Sequence, residues 1–272
     1  NKNVKISDNN LITLVQPNIE QKDKWNLEKR NANLNKLTQF SIQNVNEYIG
    51  VNRIIIWPET SFEGTIPNEM ELLSVISKRT LTDPKAILVV GLLRVDKNKL
   101  FNSLVFLNSK GNVIHQYDKI HLVPFGEYIP LRNKFTTIAN FLNLKDFSSG
   151  NIKPNFTLKG LGNILTLICY EILFTEEVIS RLSKNTNLLI NITNDAWFGK
   201  TIGPYQHLAL AKIKAVELGI PLARVANTGI SALISPYGKE ITKIPLYESG
   251  VRTAELTLPL KNTIYRRYGK II

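Results

Sequence analysis

The sequence predicts one mixed α/β domain, on two observations. Short apolar segments of strand length alternate with longer amphipathic segments along the 272 residues. Residues 53–57 and 86–95 are predominantly apolar, as expected for strands that are covered on both faces. Since neither a low-complexity linker nor a repeat period interrupts the pattern, residues 1–272 are expected to form a single domain.

The first half of the chain contains five predicted elements before its first hairpin. They are a strand, a long helix, a strand, a helix and a strand, at residues 11–16, 23–48, 53–57, 68–79 and 86–95. The long helix ends before Gly50, and its apolar face consists of Leu27, Leu34, Leu37, Val45 and Tyr48. Strands at 102–107 and 113–117 flank Ser-Lys-Gly-Asn, which is typical of a hairpin.

The second half continues the alternation of strands and helices. Residues 163–168 form a predicted strand that ends on the cysteine, and residues 188–193 form one that runs into Asn-Asp-Ala-Trp-Phe-Gly. A helix is predicted at 204–218, with a proline near its start and a glycine past its end. A late hairpin joins strands 232–235 and 240–244 through Pro-Tyr-Gly-Lys.

Composition restricts the classes of partner. The net charge of +12 is compatible with nucleic acid or anionic lipid. The basic residues are scattered, however, and no nucleic-acid motif is present, so a bias toward Lys, Asn and Ile explains the charge better. Modest attraction to anionic headgroups stays open. No segment reaches the length of a membrane span, and because the chain begins with Asn we expect it to be a piece of a longer protein.

Glu59 and Lys119 are two candidates for chemistry at strand ends. Glu59 follows the strand in Ile-Ile-Ile-Trp-Pro-Glu-Thr, where an apolar wall would raise the pKa of the carboxyl and suit it to act as a base. Lys119 lies in a loop shaped by two prolines and a glycine, and it could stabilise an oxyanion while Glu127 holds its ammonium. The alternatives are a solvated surface glutamate and an ordinary basic loop.

Cys169 is the single cysteine, and it stands where an apolar strand ends. A lone cysteine is more often a small buried hydrophobic residue, but the turn after a strand is where a nucleophile is often displayed. A thiolate needs a base or a positive neighbour, and Glu59 and Lys119 would supply one of each. With three histidines and no metal-ligand spacing, neither a metal site nor a cofactor is predicted.

The order Glu, Lys, Cys with these flanking residues resembles the nitrilase, or carbon–nitrogen hydrolase, superfamily, and within it the apolipoprotein N-acyltransferase family. The similarity runs from about residue 11 to residue 268. The segments that carry it are Val-Gln-Pro-Asn-Ile followed by Trp25, Trp-Pro-Glu-Thr, residues 117–130, Ile-Cys-Tyr-Glu, Asn-Asp-Ala-Trp-Phe-Gly, Gly-Pro-Tyr-Gln-His and Arg-Val-Ala-Asn-Thr-Gly-Ile-Ser.

The resemblance implies a four-layer αββα sandwich and a catalytic triad. By the family's pattern, Glu59 would be the base, Lys119 the oxyanion stabiliser and Cys169 the nucleophile. Further residues match positions that are important for activity in the family, namely Glu127, Tyr170, Glu171 and Trp25.

The resemblance also implies substrates and a location. The family moves a fatty acyl chain from a membrane phospholipid to the N-terminal amine of a diacylglyceryl-cysteine apolipoprotein, through a Cys thioester. The domain would face the periplasm at the bacterial inner membrane, attached to transmembrane helices that this chain lacks. A helical apolar pattern could form a lipid-facing arm or an ordinary core helix; it comprises Phe135, Ile138, Ala139 and Leu142, with Phe141 and Leu144 nearby.

Two other functions remain open from the sequence. A free-standing cytoplasmic amidase or nitrilase would use the same triad on a small C–N substrate. A non-catalytic module of the same fold would bind lipid or a partner protein, although the intact triad argues against it.

Overall fold

Two mixed β-sheets form the centre of the protein. The computed structural model describes residues 5–43, 45–130, 146–151, 155–261 and 263–268, and over these residues it contains thirteen strands. The strands are β1 (Ile6–Gln16), β2 (Asn52–Ile56), β3 (Phe62–Ile66), β4 (Ala86–Asp96), β5 (Lys99–Asn108), β6 (Val113–Asp118), β7 (Phe156–Leu158), β8 (Gly162–Ile168), β9 (Thr186–Thr193), β10 (Leu222–Ala226), β11 (Ser231–Ile234), β12 (Glu240–Ile244) and β13 (Gly250–Thr257). The α-helices are α1 (Leu27–Ile42), α2 (Met70–Thr80), α3 (Thr175–Arg181), α4 (Gly203–Leu218) and α5 (Ile264–Tyr268).

The two sheets share one design, with parallel strands at the centre and antiparallel strands at the edges. The first has the order β13-β1-β2-β4-β5-β6, with β3 beside β4, and β1, β2 and β4 are parallel. The second has the order β12-β11-β10-β9-β8-β7, with β8, β9 and β10 parallel. Each sheet therefore gathers the carboxyl ends of its central strands at one edge, where α/β proteins place their sites.

A core between the sheets holds them face to face. Strand β2 shows how the sequence specifies it, because its side chains alternate between two apolar layers. Ile54 and Ile56 pack between the sheets with Ile190 and Val225 of the second sheet. Ile55 points the opposite way, toward the helices. The unbroken apolar run thus reflects cover on both faces, as the sequence predicted.

Helices cover the outer face of each sheet. Leu37 of α1 and Leu73 of α2 pack on the first sheet, and Val178 of α3 and Leu208 of α4 pack on the second. The order of layers is helix, sheet, sheet, helix, which confirms the predicted αββα sandwich.

The long helix predicted at residues 23–48 is wrong at both ends. It begins only at Leu27, because the side chain of Asn26 caps it by accepting from the backbone N–H of Glu28 at 2.9 Å. The preceding residues form turns, and the helix ends at Ile42, before a separate 3₁₀ turn at Val45–Tyr48. Leu27, assigned to the buried face, is 81% exposed.

Several elements were not predicted from the pattern. Strands β3, β7, β10 and β13 and helices α3 and α5 were all missed. Strand β13 lies at the sheet edge beside β1, and much of it is partly exposed, so it lacks the long apolar run that marks the central strands.

The sequence analysis made two predictions about membranes, a possible lipid-facing arm and the lack of a membrane-spanning segment in this chain. The apolar pattern at 135–144 falls outside the described residues. Within the described part of the chain, no helix combines the length and the apolar character that crossing a bilayer requires.

Candidate active site

The three candidate catalytic residues follow the ends of strands from both sheets. Glu59 comes shortly after β2, Lys119 directly after β6 and Cys169 directly after β8. The same ends of the two sheets are tied together, because the backbone N–H of Asn18 donates to the carbonyl of Asn227 at 3.1 Å. Since strand ends are fixed by their sheets, the three side chains are held by rigid elements.

Glu59 is a buried carboxylate, with 7% of its surface exposed. Its Oε1 accepts from Asn102 Nδ2 at 2.7 Å and lies 3.9 Å from Lys119 Nζ. Burial raises the pKa of Glu59, against the opposing effect of Lys119. Gly91 of β4 permits this placement, since a Cβ at Gly91 would lie 2.8 Å from the Glu59 Cα. A carboxylate that is desolvated and only partly neutralised is suited to take a proton.

Lys119 is held between two carboxylates. It is 1% exposed, and its Nζ lies 2.8 Å from both oxygens of Glu127. Glu127 is fixed in turn, because its Oε2 accepts from the Val123 N–H at 2.9 Å and its Oε1 from Asn102 Nδ2 at 3.0 Å. Burial lowers the pKa of Lys119, but Glu59, Cys169 and Glu127 outweigh it and the pKa is raised. Lys119 is therefore a fixed positive charge at any physiological pH.

Cys169 occupies a sharp turn at the start of a 3₁₀ segment, Cys169–Leu173. Its φ of 54° lies in the left-handed region, which a non-glycine residue adopts only when its surroundings hold it there. The Sγ accepts from Thr193 Oγ1 at 3.4 Å. Burial and the charge of Glu59 raise the pKa of the thiol to about 12, while Lys119 opposes them. The resting group is a thiol, so a base must remove its proton before it attacks.

Glu171 joins the Cys169 turn to the Lys119 loop. Its Oε2 accepts from the N–H of Ile168 at 2.7 Å, and its Oε1 accepts from the Tyr117 hydroxyl at 2.6 Å and the Ile120 N–H at 2.8 Å. It is 1% exposed. The structure thus gives this predicted supporting residue a positioning contact with both neighbouring segments.

Tyr170 and Trp25, the two remaining predicted residues, lie outside the charged cluster. The Tyr170 ring stacks on His207 with centroids 4.9 Å apart and meets Phe198 edge-on at 5.9 Å. The side chain of Trp25 is partly exposed, beside the buried Lys24.

A second buried polar group lies behind Cys169 and was missed from the sequence. Asp195 Oδ2 accepts from Arg224 at 2.6 Å, and its Oδ1 lies 3.0 Å from His207 Nδ1. Asn191 accepts from Arg224 at 3.0 Å and donates to the Cys169 carbonyl at 3.0 Å. This Asp195 cluster therefore supports the strained cysteine turn. Asp195, His207 and Arg224 fall in segments that carried the resemblance, but nothing in the spacing indicated that they meet.

Lys24 and Asn102 were also missed. Asn102 bridges Glu59 and Glu127, as described above. Lys24 is 3% exposed, and its Nζ donates to the backbone carbonyl of Glu59 at 3.0 Å. A lysine next to Trp25 in a segment predicted to be helical gave no sign of burial, so only the fold places it in the site.

The arrangement is suited to acyl chemistry. A buried base, a fixed cation and a thiol on a strained turn are the parts needed for nucleophilic attack on a carbonyl with stabilisation of the oxyanion. Among the residues that the structure describes, no group of His, Cys, Asp and Glu has the arrangement of a metal site.

Comparison with known proteins places the chain in a family. The carbon–nitrogen hydrolase family model matches residues 11–264. Apolipoprotein N-acyltransferase of Bradyrhizobium diazoefficiens is 34% identical over 274 residues, covering 96% of this chain and 50% of that protein. The Rhizobium etli protein of the same name is 39% identical over 250 residues, covering 88% of this chain and 46% of its own. The chain spans about half the length of the curated relatives that it matches.

Solved structures agree on the fold. An amidase from Nesterenkonia sp. superposes with a TM-score of 0.66 at 20% identity, over 97% of this chain and 94% of the amidase. A carbon–nitrogen hydrolase superfamily protein from Xanthomonas campestris gives 0.64 at 18% identity, over 90% of this chain and 89% of its own. The predicted resemblance is confirmed by sequence and by fold, and the chain belongs to the carbon–nitrogen hydrolase family.

Proposed function

We propose that this chain is the catalytic domain of an apolipoprotein N-acyltransferase. It transfers a fatty acyl chain from a membrane phospholipid to the N-terminal amine of a diacylglyceryl-cysteine apolipoprotein, through a thioester on Cys169. The observation that carries the proposal is the meeting of Glu59, Lys119 and Cys169 in one buried site, in a chain that is 33–39% identical to proteins of that name.

The first half-reaction forms the thioester. Glu59 takes the proton of the Cys169 thiol as sulfur attacks the ester carbonyl of the phospholipid. Lys119 stabilises the oxyanion, since Glu127 fixes its ammonium at 2.8 Å. Burial raises the pKa of the Cys169 thiol, so the thiol is protonated at rest. Burial also raises the pKa of Glu59, which makes its carboxylate a stronger base for that proton. Glu59 then returns the proton to the departing lysophospholipid oxygen.

The second half-reaction releases the acyl group. The neutral amine of the apolipoprotein attacks the thioester carbonyl, and Lys119 stabilises the second oxyanion. Glu59 accepts a proton from the attacking nitrogen and the Cys169 thiolate leaves, so the thiol is restored once that proton returns to sulfur. Two substrates that share one covalent intermediate predict ping-pong kinetics.

The location and the partners belong to the same proposal. The domain would work on the periplasmic side of the bacterial inner membrane, as a single catalytic unit of a longer membrane protein. Exposed apolar side chains close in sequence to residues of the site support contact with lipid: Phe125, near Glu127, is 72% exposed, and Trp197, near Asp195, is 78% exposed. Nucleic acid is not among the proposed partners.

The test is acylation by a phospholipid that carries a tagged acyl chain. Two proteins are assayed in detergent micelles, this chain alone and the longer protein that contains it. Each is incubated with the tagged lipid, and the adduct is measured by intact mass. We expect one acyl group on Cys169 that neutral hydroxylamine removes, and no adduct on the Cys169→Ala variant. Adding a diacylglyceryl-cysteine peptide should then move the tag to the peptide.

Two outcomes would contradict the proposal. If the longer protein takes no acyl group from phospholipid but hydrolyses a small amide, it is an amidase. If neither reaction occurs and Cys169→Ala behaves as the wild type in every assay, the domain is a binding module.

A further inference from the structure

Lys24 is a buried cation that the proposed mechanism leaves without a role. It lies on the turn before α1, which is anchored to loops of the second sheet. Asn194 Nδ2 donates to Gln21 Oε1 at 2.9 Å, and the Ile19 N–H donates to Asn227 Oδ1 at 3.1 Å. The turn therefore contacts loops of the second sheet and positions Lys24 beside Glu59 of the first sheet.

Among the residues that the structure describes, none places a carboxylate in direct contact with the ammonium of Lys24. Within the described residues, the hydrogen bond that its Nζ makes is to the Glu59 carbonyl at 3.0 Å, and no carboxylate oxygen lies within ion-pair distance. A buried ammonium is normally paired, and an apolar side chain of similar length would fill the space without that desolvation. The charge is thus not explained by the stability of the fold.

The surrounding charges explain it better. Glu59 and Glu127 share the ammonium of Lys119, so without Lys24 these two carboxylates would have one cation between them. Lys24 interacts electrostatically with Glu59, with Glu63 of β3 and with Cys169. Asn33 donates to Glu63 at 2.6 Å, and the charges of Lys24 and, less strongly, Arg30 also act on this carboxylate.

We infer that Lys24 is a positioning residue of the active site, a second cation that fixes the main chain at Glu59 and keeps the Glu59 carboxylate ionised. The effect acts on the base before the reaction begins. Burial raises the pKa of Glu59, and a protonated Glu59 could not accept the thiol proton. The positive charges of Lys119 and Lys24 both oppose that rise.

The test measures the rate of Cys169 alkylation by iodoacetamide between pH 5 and 9. The chain has one cysteine, so the adduct mass reports that site alone. The part of the profile that Glu59→Gln abolishes reports ionisation of Glu59. In Lys24→Met we expect its midpoint to move about one unit toward higher pH, as loss of a nearby opposite charge requires.

Two further substitutions separate charge from position. Lys24→Gln keeps an N–H donor for the Glu59 carbonyl without a charge and should show the same shift. Lys24→Arg keeps the charge and should have a midpoint near that of the wild type. Lys22→Met is the matched control, because this lysine of the same turn has a side chain that is 75% exposed.

The inference is overturned if folded Lys24→Gln, checked by its thermal midpoint, alkylates with the wild-type midpoint. It rests on the proposed role of Glu59, but the assay needs neither phospholipid nor apolipoprotein. A wild-type protein that shows the Glu59-dependent profile yet takes no acyl group would refute the transferase proposal alone. A wild-type profile unaffected by Glu59→Gln would refute the role of Glu59 and this inference with it.

Discussion

Two buried charged regions meet at Cys169, and they are built in opposite ways. On the side of the second sheet, Asp195 is bound by Arg224 and His207, and although burial opposes it, Arg224 holds the pKa of Asp195 below its usual value. On the side of the first sheet, the pKa of Glu59 is raised by burial and that of Lys24 is lowered. The region around Asp195 is stabilised by the pairing of its charges, whereas the region around Glu59 and Lys24 contains charges that burial disfavours.

The difference separates support from reactivity. A paired buried charge has little tendency to change its proton, whereas a desolvated carboxylate or amine is poised to do so. We therefore expect substitutions in the Asp195 cluster to change stability first, and substitutions around Glu59 to change reactivity first.

The largest effect is expected on the reactive side. Glu59→Gln should lower the rate of acyl-enzyme formation by roughly 10²–10⁴-fold, the usual range for loss of a general base. Burial raises the pKa of Glu59 in the fold, so its ionisation weakens the folded state as pH rises through that pKa. The variant should therefore be at least as stable as the wild type at neutral pH and lose that advantage in acid. Acylation rates and thermal midpoints check this, and a less stable variant at pH 7 would contradict the comparison.

The supporting side should lose stability instead. Asp195→Ala leaves the fully buried guanidinium of Arg224 without its carboxylate, and we expect a loss of about 3–5 kcal/mol in the free energy of unfolding. Urea denaturation measures it. The lowered pKa of Asp195 adds a pH signature, because its contribution is present at neutral pH and is lost as pH falls through the folded value, below the ordinary 3.8. A variant that unfolds like the wild type would show that the cluster is not the support described here.

Lys24→Met should behave in the opposite sense, becoming more stable while less reactive. Burial lowers the pKa of Lys24 from 10.5 to about 8, so the fold disfavours the charged form by roughly 3 kcal/mol, an upper bound on the gain in stability. The gain should be full below pH 8 and fade between pH 8 and 10.5, as the unfolded chain also loses the proton. Urea denaturation at pH 7 and pH 10 tests the direction, and a variant that is less stable at both would contradict it.

The smallest effect is expected at Glu240, which forms surface ion pairs away from both the Asp195 cluster and the region around Glu59. Glu240 lies 3.0 Å from Lys212 and 2.9 Å from Lys243, at the protein surface. Glu240→Gln should change stability by at most about 1 kcal/mol and leave acylation unchanged. It is the reference for the Asp195 result, because it also removes a carboxylate from an ion pair, but one that is partly exposed to solvent.

The sequence predicted most of the central strands because their signal is local, but it missed β10, a buried central strand of the second sheet. In β2 the run of isoleucines is apolar on both faces, and Glu59, immediately after, was identified as a site residue from that position. The αββα arrangement came from the resemblance alone. The start of α1 was predicted at residue 23, whereas the Asn26 cap sets the true boundary.

The rest of the site depends on contacts that sequence distance hides. Asp195 and Arg224 are 29 residues apart, and Lys24 and Glu59 are 35 apart. A lysine in a polar stretch is usually solvated, and only the tertiary structure shows that Lys24 is buried. Side-chain burial at strand ends is decided by tertiary packing, which periodicity does not report.

The carboxylate of Glu171 has a consequence for the order of events in a two-step reaction. It binds the strand end that bears the nucleophile and the loop that bears Lys119 through one rigid group. In the proposed reaction, the lysophospholipid leaves before the protein amine attacks. Because Glu171 binds both segments, the Cys169 sulfur and the Lys119 ammonium would keep one separation through both half-reactions, so the two oxyanions would meet the same alignment.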